Sequence, residues 1–141
     1  MSGLKYLNER EERIIHFDLK PQNILFNKGE IKITDFGLCK IIDQDQEKIE
    51  LTSQGVGTYW YQPPECFEEG PNPTMISSKV DVWSVGVIFY ELLYGRRPFG
   101  HQQSQKRILQ ERIIINDAKE LHFPSKPNVS NDTKEFIKKL L

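Results

Sequence analysis

The sequence lacks the features that mark several classes of protein. Its two cysteines, Cys39 and Cys66, are too few for a disulfide framework and form no C-x-x-C or Cys/His pattern, so we expect a reducing compartment. No apolar run follows Met1, which argues against a secretory signal. The most apolar segment, 80–93, is interrupted by polar residues and too short to span a bilayer. We therefore expect an intracellular protein that has no membrane partner.

An excess of charge of one sign is also lacking. Nineteen Lys and Arg stand against 20 Asp and Glu, which gives a net charge of -1. A nucleic-acid-binding helical domain would need a basic stripe, so we expect no direct nucleic-acid partner. Hydrophobic residues make up 38% and charged residues 28%, which is typical of a folded globular chain. The length of 141 residues corresponds to one domain or a piece of one.

Hydrophobic periodicity in the first part of the chain predicts a helix followed by short strands. The segment 3–13 opens with a helical pattern, and strand-like runs follow over 13–17, 23–26 and 30–34. The last two runs flank the turn sequence Asn27-Lys28-Gly29 and should form a hairpin. The next segment, 38–58, is polar and weakly periodic, so it is predicted to lack clear structure and to be functional or mobile.

The remainder of the chain is predicted to be helical. Ser77 or Ser78 can cap a helix that runs over 80–95 and stops at a glycine. Because apolar residues surround this helix on nearly all sides, it should be a buried central helix. A second helix is predicted over 104–114 and a third after Ser130. The pattern as a whole indicates an α+β fold in which the strands lie near the start.

The stretch HFDLKPQN, residues 16–23, contains groups that suit phosphoryl transfer. This reaction needs alignment and charge neutralisation more than covalent help from the protein. Asp18 can orient an attacking hydroxyl and accept its proton. The amide oxygen of Asn23 can ligate Mg²⁺, and Lys20 can place a positive charge beside the transferring phosphate.

Two later motifs strengthen this interpretation. TDFG supplies Asp35 as a second Mg²⁺ ligand, and Gly37 allows the backbone to turn sharply. Either aspartate alone would be weak evidence, because an isolated loop aspartate is more often a turn or cap residue. The order H-x-D-L-x-x-x-N, then D-F-G, then PPE in place of A-P-E is that of the second half of the protein-kinase signature.

The chain resembles the protein kinases and, among them, the tousled-like serine/threonine kinases. The resemblance is carried by IIHFDLKPQNIL, EIKITDFGLCKI, TYWYQPPECF and RRPFGHQQSQ, and it covers essentially the whole chain. It implies a partial kinase domain over 1–141: the mainly α-helical C-terminal lobe with short β-hairpins near the catalytic loop. The catalytic loop would be 16–23, the activation segment 35–65 and the helical region 79–141.

The resemblance also implies partners and a location. ATP and Mg²⁺ would be the cofactors, bound by residues that include Lys20, Asn23, Leu25 and Asp35. The substrates would be Ser and Thr hydroxyls of proteins, with histone chaperones in chromatin assembly as typical examples. The location would be the nucleus, with the cytoplasm as the alternative.

Four further residues receive roles from the resemblance. Thr58 would hold Asp18 and Lys20, although a simple turn hydroxyl is the alternative. Leu25 would form the floor of the adenine pocket. A leucine in a strand at this position should be buried in any case. Asp81 would tie the catalytic-loop backbone in place, whereas the alternative is a carboxylate favoured by the helix dipole. Glu65 would pair with an arginine beyond Leu141.

Control of the activation segment depends on residues that differ from the common pattern. Thr52 and Ser53 are candidate phosphorylation sites, with a solvated turn as the alternative. Many kinases have an arginine at the position of Phe17, and that arginine pairs with the activating phosphate. We therefore expect phosphorylation at these sites not to act through residue 17, and Phe17→Arg to leave basal activity within a few-fold. His16 is expected to be a packed, hydrogen-bonded loop residue.

Several kinase parts are not found in the sequence. No Gly-rich loop and no V-A-I-K-like segment precedes His16, so we expect the N-lobe to be absent. An unpaired Glu65 would cost about 3–5 kcal/mol if it is buried. The chain expressed alone should therefore be poorly stable and transfer no phosphate. The competing hypothesis is a non-catalytic kinase-like interaction module, against which the intact Asp18, Lys20, Asn23 and Asp35 argue.

Overall fold

The computed structural model describes residues 2–43, 45–52 and 55–141. Within these ranges the chain forms short helices and two-stranded antiparallel sheets, with strands paired β1–β4, β2–β3 and β5–β6. None of the described helices is both long and apolar enough to cross a membrane. The elements are α1 (Ser2–Asn8), β1 (Arg13–Ile15), β2 (Ile24–Asn27), β3 (Glu30–Ile33), β4 (Lys40–Ile42), β5 (Ile49–Glu50), β6 (Met75–Ile76), α2 (Lys79–Tyr94), α3 (Gln105–Gln110), α4 (Ile113–Asp117) and α5 (Asn131–Leu140).

The predicted hairpin is confirmed as β2 and β3. Asn27 pairs with Glu30, so the connection is the two-residue turn Lys28-Gly29. Both turn residues have positive φ, 49° and 82°, which is the type I′ geometry whose twist matches that of the strands. At the open end of the hairpin the Thr34 N–H donates to the Asn23 carbonyl at 3.0 Å. The hairpin therefore brings the segments that carry Asn23 and Asp35 to the same end.

The segment 38–58 contains two strands that the sequence did not predict. β4 pairs with β1, and β5 pairs with β6. Each strand has only two or three residues, which is too short to produce a local pattern of alternation. They form because partners distant in sequence supply the hydrogen bonds, so local periodicity could not reveal them.

The buried central helix is confirmed as α2. It ends at Gly95, whose φ of 67° is left-handed and whose N–H donates to the Glu91 carbonyl at 2.8 Å. Near its start the Ser77 hydroxyl accepts a hydrogen bond from the Lys79 N–H at 3.3 Å. Val80 and Val87 are fully buried on this helix. Its position in the core fixes Asp81 beneath the loop that precedes β2.

The helix predicted over 104–114 is wrong, because it is broken into α3 and α4. Arg112 between them adopts a left-handed φ of 52°. Ile108 and Ile114 are both 1% exposed and lie in the same core cluster. At 3.6 residues per turn, positions six apart lie about 120° apart around a continuous helix. The break lets both side chains reach one core, and the Ser130-capped helix after it is confirmed as α5.

The buried side chains form two clusters, and the loop 16–23, the predicted catalytic loop, contributes a side chain to each. The large core contains Leu19, Tyr59, Tyr61, Trp83, Val87, Ile88, Phe99, Ile108 and Ile114. The small core contains Ile15, Phe17, Ile42, Leu51, Cys66, Ile76 and Val80. Burial raises the pKa of the Cys66 thiol to about 12, so this thiol stays protonated at neutral pH. Asp18 therefore lies between Phe17, which belongs to the small core, and Leu19, which belongs to the large core.

Candidate active site

Three predicted catalytic residues are in mutual contact. Asp18 is 8% exposed, and its Oδ2 accepts a hydrogen bond from Lys20 Nζ at 2.7 Å. Thr58 Oγ1 donates to the other carboxylate oxygen, Oδ1, at 2.8 Å and accepts from Lys20 Nζ at 3.1 Å. Thr58 lies 40 residues away in sequence, so the tertiary fold brings it here. The contacts hold the largely buried Asp18 carboxylate in one orientation.

Asn23 joins this group through its amide nitrogen. Nδ2 donates to the Asp18 carbonyl at 2.9 Å and lies 3.4 Å from Asp18 Oδ2. Because the nitrogen is committed to Asp18, the amide oxygen Oδ1 is the atom of this side chain that can ligate a cation. Asn23 is 5% exposed and ends a single 3-10 turn that begins at Pro21. The short turn after Lys20 thus determines where the amide points.

Asp35 lies at the far end of β3 in a strained conformation. Its φ of 64° is left-handed, which is uncommon for a residue other than glycine. Its side chain is exposed, and Oδ1 accepts a hydrogen bond from the Gly37 N–H at 3.3 Å. Strain of this kind often occurs at functional sites. The carboxylate therefore stays open to ligands on the side of the hairpin where Asn23 lies.

The oxygen atoms of Asn23 and Asp35 suit Mg²⁺, which prefers hard oxygen ligands. Several of the ligands of a protein-bound Mg²⁺ are usually water or phosphate oxygens. Among the described residues no group of three or more His, Cys, Asp or Glu side chains could hold a metal ion. A site made of one carboxylate and one amide, completed by a nucleotide, does not require such a group. The donor set thus fits a metal that is bound together with a substrate.

Asp81 fixes the backbone of the catalytic loop from below. Its carboxylate accepts the His16 N–H at 2.7 Å and the Phe17 N–H at 2.9 Å, and the residue is 2% exposed. Burial raises the pKa of this carboxyl above its ordinary value, although the two backbone hydrogen bonds oppose the rise. The structure thus brings Asp81 to the loop backbone.

His16 is packed and hydrogen-bonded, as the sequence predicted. It is fully buried, and its Nδ1 accepts the Asp18 N–H at 3.3 Å. Nε2 lies 2.9 Å from the Thr34 carbonyl oxygen, which can only accept, so the proton of the neutral ring is on Nε2. The ring also meets the Phe36 ring edge to face, with centroids 4.9 Å apart. His16 therefore ties the catalytic loop to the TDFG segment.

We predict that Asp81→Asn lowers the free energy of unfolding by about 1–3 kcal/mol, since its amide can accept only one of the two backbone N–H groups. Amide exchange at His16 or Phe17 should also accelerate. Asp117→Asn, on an exposed carboxylate, is the control and should change stability by less than about 0.5 kcal/mol. Equal losses in both variants, measured by urea unfolding, would contradict the prediction.

The expected tolerance of Phe17→Arg is revised by the structure. Phe17 is 2% exposed and belongs to the small core, where a guanidinium would be buried among apolar side chains. Its φ is 67°, and the Lys40 ammonium lies 5.1 Å from the ring centroid. The aromatic ring thus packs the core beneath the catalytic loop, which the sequence alone did not indicate.

The remaining predicted site residues lie away from the Asp18 group. Leu25 is 52% exposed on β2, so the expectation that it is buried is wrong: the residue opposite it on the same face of the hairpin is Lys32, which is itself exposed and offers it no cover. Glu65 is partly buried, burial raises the pKa of its carboxyl, and it forms no salt bridge within the described ranges. Thr52 is exposed, and Ser53 lies outside the described residues.

Sequence reasoning missed the residues that support Thr58. Gln62 is 4% exposed and donates to the Val56 carbonyl at 2.8 Å. A Cβ at Gly57, whose φ is 98°, would lie 2.5 Å from Gln62 Nε2, so only glycine fits there. The glycine pair in GVGT signalled a special backbone, but no sequence pattern links it to Gln62. These contacts hold the residue before Thr58 in a fixed conformation.

A second missed pair connects the segment after Thr58 to α2. The Tyr61 hydroxyl donates to Glu91 Oε2 at 2.7 Å, and Ser84 Oγ donates to the Tyr61 carbonyl at 2.7 Å. Burial, together with the hydrogen bond to Glu91, raises the pKa of Tyr61 well above its usual value. The tyrosine therefore stays neutral and anchors the segment to the central helix.

Comparison with known proteins agrees with this geometry. The family model described as the protein kinase domain matches residues 1–141. The chain is 60% identical to the mouse serine/threonine-protein kinase tousled-like 2 and 57% identical to the Arabidopsis thaliana serine/threonine-protein kinase TOUSLED, over 100% of its length in both cases. A tousled-like 1 kinase of Caenorhabditis elegans is 52% identical.

The match is to one part of these relatives. The chain spans 21% of the length of the mouse and the Arabidopsis proteins and 15% of the length of the nematode protein. The fold, with helices and small antiparallel sheets, is that of a partial kinase domain. The chain belongs to the protein kinase family, and within that family it matches the tousled-like serine/threonine kinases along its whole length.

Proposed function

We propose that this chain supplies the catalytic loop and metal-binding residues of a kinase that transfers the γ-phosphoryl group of ATP to Ser and Thr hydroxyls of proteins. The observation that carries the proposal is the closed set of contacts among Asp18, Lys20 and Thr58, with distances from 2.7 to 3.1 Å. A loop aspartate with only a structural role would not need a lysine and a threonine placed on its two carboxylate oxygens.

In this proposal Asp18 accepts the proton of the attacking hydroxyl. Thr58 donates a hydrogen bond to one carboxylate oxygen of Asp18 and Lys20 donates to the other, so the orientation of the carboxylate is fixed. The remaining lone pairs of these oxygens would face the substrate. Lys20 is partly exposed and can also face the negative charge of the transferring phosphate. The chain thus provides alignment and charge, which are the main requirements of phosphoryl transfer.

ATP with Mg²⁺ is the proposed cofactor. Bound Mg²⁺ would neutralise phosphate charge, and Asn23 Oδ1 with the Asp35 carboxylate would hold it. The exposed side chain of Leu25 is proposed to contact the adenine, since a half-exposed apolar residue on this hairpin gains stability when a flat ring covers it. Residues 1–141 would then be the C-terminal lobe, because these groups would line one side of the nucleotide.

Substrates and location are proposed from the relatives alone. A nuclear role in chromatin assembly, with histone chaperones as substrates, is what the resemblance to tousled-like kinases implies; the names of the relatives state only that they are serine/threonine-protein kinases. Thr52, which is exposed, is the proposed phosphorylation site within the described part of the activation segment, with Ser53 beside it in sequence. The 141-residue chain by itself is proposed to be inactive and poorly stable, partly because the half-buried Glu65 has no salt bridge among the described residues.

We predict that the full-length protein labels Ser and Thr, but not Tyr, in a peptide library when it is given Mg²⁺ and γ-labelled ATP. Asp35→Ala should lower the rate about 100-fold or more, because one preorganised electrostatic group is lost. Asp117→Ala, at an exposed position, is the matched control and should retain activity.

The competing function is a kinase-like module that binds proteins without modifying them. It would give binding of peptides or histone chaperones with no transfer above the level of the Asp35→Ala variant. That outcome would overturn the proposed transferase activity. The same assay with a histone chaperone as substrate, together with imaging of the tagged protein in cells, tests the nuclear role.

A further inference from the structure

Arg97 is a half-buried cation that has no anionic partner in the described part of the chain. Its guanidinium carbon lies 4.2 Å from the centroid of the Trp60 ring, well inside the range of a cation–π contact. Its Nε is buried and has no hydrogen-bond partner among the residues that the structure describes. Among the described residues no carboxylate lies within salt-bridge distance of it. Within the described residues, the ring is thus the group that interacts with this charge, and the rest of the guanidinium is available to a ligand.

The surroundings hold this side chain in place. The Trp60 indole N–H donates to the carbonyls of Gly100 and Gln103 at 3.0 and 3.1 Å, so the ring is a fixed platform. The Arg97 backbone N–H donates to His101 Nδ1 at 3.3 Å. A guanidinium held over a ring can still direct its two terminal NH₂ groups away from the ring, in a fork that matches a carboxylate or a phosphate.

The platform lies close to the proposed site of transfer. Trp60 follows Thr58 by two residues, so their Cα atoms are at most about 7 Å apart, and Thr58 contacts the Asp18 carboxylate. An extended peptide advances about 3.3 Å per residue. A substrate whose hydroxyl reaches Asp18 would therefore place a side chain a few residues away within reach of Arg97.

The charges around this position favour an anion. Arg96 is exposed beside Arg97 and adds charge of the same sign. The acid on the neighbouring turn of α2, Glu91, already accepts a hydrogen bond from the Tyr61 hydroxyl at 2.7 Å. We propose that Arg97, stacked on Trp60, is a specificity-determining residue that binds an acidic or phosphorylated side chain flanking the acceptor Ser or Thr of the protein substrate. This rests on the proposed kinase function.

The test measures peptide binding and turnover separately in the full-length protein. The peptides are derived from a neutral peptide that contains one Ser. Each peptide carries a single Asp at one of the five positions on either side of this Ser, and matched peptides carry Asn, Lys or phosphoserine at the same position. Binding is measured by fluorescence anisotropy without ATP, and turnover is measured as kcat/KM. The quantity compared is the ratio of the Asp peptide to the Asn peptide, which does not depend on the fraction of folded enzyme.

At one position, we expect the affinity and the kcat/KM of the Asp peptide to be about tenfold higher than those of the Asn peptide. A tenfold ratio corresponds to the lower end of the range for a hydrogen bond to a charged group. Arg97→Gln should reduce the ratio to about one, and Arg97→Lys, which loses the planar fork, should retain part of it. Arg96→Gln is the matched control on the exposed neighbour and should leave most of the ratio intact. A phosphoserine peptide stronger than the Asp peptide would identify phosphate as the ligand, and equality would identify a carboxylate.

Three outcomes would overturn the inference. Equal affinity and equal kcat/KM for the Asp and Asn peptides would mean that Arg97 only packs against Trp60. A ratio that persists in Arg97→Gln would place the selectivity elsewhere, and a preference for Lys would point to Glu91. Selective binding of the Asp peptide without any turnover would support the inference while contradicting the proposed phosphoryl transfer, so the two failures are distinguishable.

Discussion

Asp18→Asn in the full-length protein is expected to reduce phosphoryl transfer about 100-fold to 10,000-fold, the range that a general base contributes. Asparagine has the same shape but cannot accept the substrate proton. Its amide nitrogen would also face the Lys20 ammonium or the Thr58 hydroxyl, which now lie 2.7 and 2.8 Å from the carboxylate oxygens. The KM for ATP should change little, because the nucleotide-binding groups remain. Steady-state kinetics with a Ser peptide measure both values.

The control for this variant is Asp117→Asn, which changes an exposed carboxylate at the end of α4. It should have kcat and KM close to those of the unmodified protein. The prediction fails if Asp18→Asn keeps more than about a tenth of the activity, since loss of a base costs at least about 100-fold. That result would assign the proton to another acceptor and leave Asp18 a role in orienting the loop.

Phe17→Arg is expected to destabilise the domain by about 3–5 kcal/mol, which is typical of a buried charge without a partner. The ring is 2% exposed among the apolar side chains of the small core. The Lys40 ammonium, 5.1 Å from the ring centroid, would repel an arginine at this position. Because two backbone N–H groups of this loop bind Asp81, loss of packing at Phe17 should also disturb Asp18. Thermal and urea unfolding of the full-length protein measure the loss.

Two further variants separate burial from chemistry. Phe26→Arg makes the same change on a side chain that is 79% exposed, and it should alter stability by less than about 0.5 kcal/mol. Phe17→Leu keeps an apolar side chain and should cost less than Phe17→Arg. An unchanged melting temperature for Phe17→Arg would refute the prediction. In that case the guanidinium reaches solvent, and basal activity within a few-fold of normal is again expected.

The chemistry of the candidate site could be predicted from short motifs because its residues lie close in sequence. Asp18, Lys20 and Asn23 belong to one loop, and the structure brings these three into contact with one another. Thr58 was assigned by resemblance, since nothing local indicates that it reaches a carboxylate 40 residues away. The support from Gln62 and Glu91 had no sequence signal, because a buried polar contact depends on two distant positions at once.

Leu25 and Phe17 show that a local sequence pattern does not determine whether an apolar side chain is exposed or buried. Phe17 lies within the segment 16–23 and Leu25 lies two residues after it, yet Leu25 is 52% exposed and Phe17 is 2% exposed. Which apolar side chain is covered depends on the elements that pack against it. The small core that covers Phe17 is assembled from β1, β4, β6 and α2, which are far apart in the chain.

The sequence by itself determined the kinase family, the hairpin with its Lys28-Gly29 turn and the central helix, because motif order, turn residues and periodicity are local properties. Tertiary structure decided the pairing of β1 with β4 and of β5 with β6, the break at Arg112 and the stacking of Arg97 on Trp60. These features form when segments distant in sequence meet and exclude water, so their stability depends on burial and hydrogen bonds that only the folded chain provides.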